Sequence, residues 1–162
     1  MAVPELDEID RRLLDLLQAD ARQSLDGLAA QVGLSAPAVQ RRIKRMRDNK
    51  VILRDVVEID PAAVGLGMTF IVIVELERER ADQVDAFRRK AMKEPLVQQC
   101  YYVTGEGDFV LVVLARDMNH FEAMTRRLFF EDANVRRFRT SVVMGERFHS
   151  LAVPAAGALG DD

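Results

Sequence analysis

The sequence predicts an α+β chain of two units, a bundle of three short helices followed by a domain of order β-α-β-β-α-β. Three observations carry that reading. Apolar residues recur at helical spacing from Ile9 to Met46, longer apolar runs bounded by glycine and polar turns begin beyond Gly67, and one predicted helix holds a dense block of positive charge. At 162 residues the chain has the length of one large domain or two small ones.

The first helix starts at Asp7, a residue that caps well, with further acids in its first turn. Ile9, Leu13, Leu16 and Leu17 form its apolar face, and the polar stretch Asp20 to Gln23 ends it. Ser24 caps a second, short helix carrying Leu25, Leu28, Ala29 and Val32. Gly27 weakens that helix by about 1 kcal/mol against alanine, and Gly33 supplies the left-handed residue that closes it. Ser35 then caps a third helix, with Pro37 in the first turn, where a missing N–H is harmless. It runs to about Asp48. At about 100° per residue Val39, Ile43 and Met46 share one face, and Pro37, Arg41, Lys44 and Asp48 lie opposite, with Gln40 and Arg45 on the flanks.

Charge separates this third helix from its surroundings. The chain has a net charge of −3, but residues 35–54 hold Arg41, Arg42, Lys44, Arg45, Arg47, Lys50 and Arg54 against Asp48 alone. Residues 1–34 hold only Arg11, Arg12 and Arg22 against seven acids. A local basic block in an acidic chain points to a localised anionic partner. A short helix, a glycine-containing turn and a basic helix make a helix-turn-helix pattern. Val51 to Ile59 is rich in β-branched residues and is expected to form a strand or small wing, so the first unit reads as a winged helix-turn-helix. The domains are expected at 1–60 and 61–150, with the boundary near 60–67 where Pro61, Gly65 and Gly67 cluster, and with 151–162 an Ala/Gly/Pro-rich disordered tail.

In the second unit Met68 to Leu76 reads as a strand and Ala81 to Lys93 as a helix with Val84, Phe87 and Ala91 inward. Val97 to Thr104 and Phe109 to Ala115 follow as strands. Asn119 to Phe130 is a helix with Phe121, Met124 and Leu128 inward. A last strand, broken near Thr140, lies in Val135 to Glu146. This order is that of a ferredoxin-like fold.

The two halves together resemble the leucine-responsive regulator/AsnC family. The residues that carry the resemblance are Leu6-Asp7-x-x-Asp10, Leu16-Leu17-Gln18-x-Asp20-Ala21-Arg22, Leu28-Ala29-x-x-Val32-Gly33-Leu34-Ser35, Val39-x-x-Arg42-Ile43, Val51-Ile52 and Val103-Thr104-Gly105-Glu106-Gly107-Asp108-Phe109. The resemblance implies dimers built through their sheets, often assembled into octamers. It also implies amino acids or related metabolites bound between dimers, and DNA wrapped or bent near promoters. Two positions depart from the family pattern. Lys50 stands where the family has glycine, so Asn49 is expected to take the left-handed conformation. Gly105-Glu106-Gly107-Asp108 replaces a Gly-Asp-aromatic-Asp loop, which leaves the effector's identity open and predicts more room beside Gly107, with Tyr102 narrowing the other side.

The expected DNA-binding residues are Ser35 and Pro37 at the start of the third helix, which favours phosphate, with Gln40, Arg41, Lys44 and Arg45 along it. Arginine suits guanine and glutamine suits adenine in the major groove. The hairpin Thr104 to Phe109, with Gly107 supplying a positive φ, is the expected effector site. Its N–H groups suit a carboxylate, and Glu106 or Asp108 suits an ammonium. By position, the resemblance carries an effector role onto Tyr102, Thr104, Gly105, Glu106, Gly107, Asp108, Met118 and Val142.

The expected partners are double-stranded DNA, a small-molecule effector of amino-acid type and further copies of the chain. The alternative is an architectural DNA-binding protein indifferent to ligand, which the sequence does not separate from a regulator. An enzyme finds no support, because no nucleophile–base motif or phosphate loop occurs. RNA recognition would need exposed aromatics on the central strands; Phe109 is one candidate, but Val110 to Leu114 supply no further aromatic. No cofactor or metal is expected. Cys100 is the lone cysteine, read as a packed strand residue, and His120 and His149 lie far apart in sequence. No apolar run reaches the roughly 18 residues of a membrane span, and Met1 to Asp10 lacks a secretory pattern. A cytoplasmic location is the expectation.

Overall fold

The structure is a computed structural model that describes residues 5–145 and 150–156. The chain divides between Val57 and Glu58, somewhat before the expected boundary, and residues 150–156 belong with the first unit.

The first unit contains α1 (Glu8–Ala19), α2 (Leu25–Val32) and α3 (Ala36–Asp48). Asp7 and Asp10 close a reciprocal capping box on α1: the Asp7 carboxylate accepts the Asp10 N–H at 2.8 Å and the Asp10 carboxylate accepts the Asp7 N–H at 3.3 Å. Ser24 caps α2 through the Gly27 N–H, and Gly33 ends that helix at φ +69°. Leu13, Leu28, Ala29, Val39, Ile43 and Met46 fill the space between the helices. Each large side chain buried there contributes about 1.5–3 kcal/mol.

The end of α3 departs from expectation. Asn49 keeps φ −83°, and Lys50 itself takes the left-handed conformation at φ +59°. The hydrogen bonds explain the choice. Lys50 N–H donates to the Arg47 carbonyl at 3.0 Å and Val51 N–H to the Met46 carbonyl at 2.9 Å. This is the Schellman pair of bonds, which demands a left-handed residue at Lys50 whatever its side chain. Val51, partly buried, packs against the first core.

The expected wing over Val51 to Ile59 does not form among the described residues. Residues 53–60 are exposed and without regular structure, and none of the described strands pairs with them. The disordered tail is also corrected over 150–156. Ala155 and Ala156 N–H donate to the two oxygens of the Asp15 carboxylate at 2.9 and 3.0 Å, and Gln18 exchanges two hydrogen bonds with the Val153 backbone, tying this segment to α1. Residues 157–162 lie outside the described residues.

The second unit contains β1 (Met68–Leu76), α4 (Ala81–Lys93), β2 (Val97–Tyr102), β3 (Phe109–Ala115), α5 (Met118–Thr125) and β4 (Val135–Val142). All pairings are antiparallel in the order β2-β3-β1-β4, which is the ferredoxin-like arrangement. Phe70, Val72, Val74 and Leu76 of β1 point to the covered face with Phe109, Leu111 and Val113 of β3. They pack there with Phe87 and Ala91 of α4 and with Phe121 and Met124 of α5. Phe70 and Phe121 stack with centroids 3.9 Å apart.

Two boundaries differ from the sequence reading. Strand β4 runs unbroken through Thr140, and its register shift lies instead opposite Glu75 and Leu76. The last predicted helix changes character at Arg126, where a π-helical turn, Arg126–Phe130, follows α5. Its wider winding turns both Leu128 and Phe129 inward, and Phe129 reaches Phe138 at 4.6 Å.

Candidate functional site

Helix α3 has three distinct sides. Val39, Ile43 and Met46 are buried. Pro37, Gln40, Arg41 and Lys44 are exposed. Ser35 occupies the N-cap but makes no side-chain capping bond; its carbonyl accepts Ala38 N–H at 2.9 Å.

One flank is tied to α1. The Asp10 carboxylate is fully buried and accepts Arg42 Nη1 at 2.8 Å and Arg45 Nη2 on its other oxygen. Asp7 accepts the same Arg42 Nη1 at 2.6 Å. The Asp10 backbone N–H and the Arg42 guanidinium hold the Asp7 carboxyl below the usual carboxylate range, and the hydrogen bonds that Arg42 donates to Asp7 and Asp10 push its guanidinium up. Arg45, predicted to face DNA, thus carries an ion pair to the fold, and half of its side chain is covered. The opposite flank lines an open groove of about 500 Å³, bordered by Gln40, Lys44 and Arg47 on α3 and by Leu17, Gln23 and Leu25. Arg47 was not among the predicted residues, although its place on the basic helix beside Gln40 and Lys44 was readable from the helical period. It pairs with Asp55 at 2.9 Å.

The predicted effector residues fall into two groups. Tyr102, Thr104, Gly105, Glu106, Gly107 and Asp108 lie at the β2–β3 connection, where Val103 N–H donates to the Asp108 carbonyl at 2.9 Å. Met118 opens α5 beyond the far end of β3, and Val142 pairs with Phe70 at that same end of the sheet. The six residue steps of β3 separate the two groups by roughly 20 Å. One chain therefore does not bring them together.

The hairpin's details correct two expectations. The positive φ belongs to Gly105, at +126°, and not to Gly107. Gly107 is required for space: a Cβ there would lie 2.5 Å from Ile73 Cγ2 and 3.2 Å from the Val74 carbonyl oxygen. Ile73 fills the side of Gly107 where extra room was expected. Asp108 is buried, and its carboxylate accepts the Leu76 N–H at 2.6 Å, so it fastens the hairpin to β1. Its side chain is turned toward the fold. Glu106 is the exposed acid, and Arg139 on β4 donates to its carbonyl at 3.0 Å and pairs with its carboxylate at 3.3 Å. Arg139 was missed because β4 reaches the hairpin only through its pairing beside β1. Tyr102 packs against Phe109 with centroids 5.3 Å apart and remains about half exposed.

Cys100 is half-buried against the second core, and burial pushes its thiol up, which suits a packing role better than a reactive one. Among the described residues no helix is long and apolar enough to cross a membrane.

Two family descriptions match the chain, an AsnC-type helix-turn-helix domain over residues 6–47 and an Lrp/AsnC ligand binding domain over residues 69–153. An HTH-type transcriptional regulator of Sinorhizobium fredii is 47% identical over 150 residues, 93% of this chain and 89% of that protein. A transcriptional regulator of Neisseria meningitidis, solved as a complex with L-Met, is similar with a TM-score of 0.85 at 28% identity, covering 93% of this chain and 97% of that one. An AsnC family regulator of Agrobacterium tumefaciens gives 0.88 at 27% identity, covering 95% and 100%. The chain belongs to the Lrp/AsnC family of helix-turn-helix transcription regulators.

Proposed function

We propose that this regulator reads double-stranded DNA with α3 and answers to an amino acid bound where two copies of the chain meet. The observation that carries the DNA-binding reading is the division of α3 into a buried face, a flank fixed to α1 and an exposed row of Gln40, Arg41 and Lys44. Glutamine and arginine read base edges, and lysine meets phosphate or guanine. Ser35 and Pro37 lie at the helix start, where phosphate is favoured.

The effector reading rests on the hairpin and on the separation of its proposed residues. Exposed backbone at Thr104 to Glu106 and the Arg139 guanidinium suit a carboxylate, and Glu106 is the acid available to an ammonium. Met118 and Val142 belong to the same site only if a second copy supplies them. The open sheet face favours such assembly: Ile71 and Tyr101 are 41% and 53% exposed, with Ile73, Val110 and Val112 only partly covered beside them. A homodimer through this face leaves the hairpins at its edges for further assembly, an octamer included. The relative solved with L-Met supports an amino-acid effector.

Selection of duplexes from a random pool by the full chain, repeated with each amino acid present, tests both parts. Enrichment of one sequence motif is the expected result, and affinity or assembly that shifts with one amino acid separates a regulator from a ligand-indifferent architectural protein. A ligand shifts the assembly only through unequal affinity for the two arrangements. Failure to enrich any motif contradicts the reading of α3.

A further inference from the structure

The ion pairs of α3 are not equivalent. Lys44–Asp48 and Arg47–Asp55 are surface pairs in which every side chain is more than half exposed. Such pairs add little stability and give way readily to a competing phosphate. Asp10 is different. It is fully buried, it sits in the capping box that fixes the first turn of α1, and both of its oxygens hold arginines of α3.

We propose that Asp10 is a positioning residue that sets DNA specificity: it holds Arg42 and Arg45 away from phosphate and fixes the rotation of α3 about its own axis. This rests on the reading of α3 as the DNA-facing helix.

The geometry supplies the argument. Arg42 and Arg45 lie three residues apart, so both leave the helix on the same flank and reach one carboxylate. A buried carboxylate stripped of its partners has no water to turn to, so the pairing persists when the exposed pairs exchange. Two attachments, three residues apart, prevent α3 from rolling on α1, and Arg41 and Lys44 keep one direction. The charge consequence follows. Residues 35–54 carry seven cations, but the carboxylates of Asp7 and Asp10 occupy Arg42 and Arg45. Non-specific affinity grows with each cation that meets phosphate, whereas discrimination comes from base contacts. Holding two arginines back lowers the first without lowering the second.

The test compares the full chain with Asp10→Asn on two probes, a random-sequence duplex and a duplex enriched by the wild type from a random pool. Binding is followed by anisotropy over a series of NaCl concentrations. Asp10→Asn keeps the side-chain shape and removes the charge. It is expected to steepen the salt dependence on the random duplex by about one to two in log–log slope and to reduce the preference for the enriched duplex. A folded Asp10→Asn with wild-type slope and preference overturns the proposal. Should that variant not fold, Arg45→Met and Arg41→Met decide: Arg41→Met lowers the slope by about one and Arg45→Met by less than half of that. An equal fall for the two makes Arg45 a phosphate contact and overturns the clamp. A merely structural role for Asp10 would change stability and leave the slopes alone. Wild-type protein that binds neither duplex removes the DNA-binding reading along with the clamp, whereas wild-type binding with unmoved slopes removes the clamp alone.

Discussion

Replacing Asp108 with alanine removes the acceptor that holds the Leu76 N–H at 2.6 Å. Leu76 is 4% exposed and Asp108 8%, so water does not reach the orphaned donor freely. Leaving a buried donor unsatisfied costs about 1–3 kcal/mol, and a bond to a charged acceptor lies toward the upper end. The neighbouring backbone bonds, Asp108 N–H to Val74 and Val103 N–H to Asp108, involve no side chain and survive. The expected loss is therefore about 2–3 kcal/mol, which for a unit of this size lowers Tm by roughly 8–20 °C. Differential scanning calorimetry of the full chain measures it. Asp108→Asn is the informative control, because its amide oxygen still accepts from Leu76 while the charge is gone, and it should recover more than half of the loss. A Tm for Asp108→Ala within about 2 °C of wild type would refute the assignment of Asp108 to the fold. The pair of variants also sorts out effector binding: a ligand defect seen in Asp108→Ala but absent from Asp108→Asn reflects a loosened hairpin, not a lost ammonium contact.

Lys50→Gly should stabilise the first unit by about 0.5–1 kcal/mol, because glycine meets the left-handed Schellman position without steric cost but loses more chain entropy; urea denaturation followed at the helical band checks it, and destabilisation would contradict the cap. The Asp7 carboxyl, held below its ordinary value, contributes stability that is present above the unfolded pKa near 3.9 and is lost as pH falls through the lower folded value. The stability gap between wild type and Asp7→Asn should therefore shrink as pH drops below about 4, and a gap that is constant down to acid would refute it. Gly107→Ala should destabilise the hairpin by about 1–3 kcal/mol through its collision with Ile73 and Val74, measured by the same calorimetry; a neutral result would show that β1 yields easily.

Much of this architecture was readable from local pattern. Asp7, Ser24 and Gly33 mark helix ends by chemistry confined to a few neighbouring residues, and Val39, Ile43 and Met46 declare the buried face of α3 by period alone. What escaped the sequence depends on partners far along the chain. Asp10 and Arg45 are 35 residues apart, and nothing in the local pattern of α3 says which of its cations is turned toward α1. Arg139 and Glu106 meet only because β4 lies beside β1. The same limit explains Gly107: its neighbour Ile73 belongs to another strand, so a local reading assigned it a turn conformation that Gly105 adopts instead. Val51 to Ile59 has the composition of a strand, but a strand is completed by whatever pairs with it. The predicted effector residues were placed by likeness to a family, and the fold then put Met118 and Val142 at the opposite end of β3 from the hairpin.

The central claim is that the exposed row of α3 reads DNA while the flank tied to α1 holds the helix in place. Titration of an enriched duplex with wild type and with the double variant Arg41→Ala/Lys44→Ala, over a series of salt concentrations, tests it most directly. Neither side chain touches the first core, so the double variant should keep its circular dichroism spectrum and its assembly. It should lose discrimination between enriched and random duplexes, with the salt slope lower by about two. A folded double variant that binds the enriched duplex with wild-type affinity and wild-type slope would contradict the account.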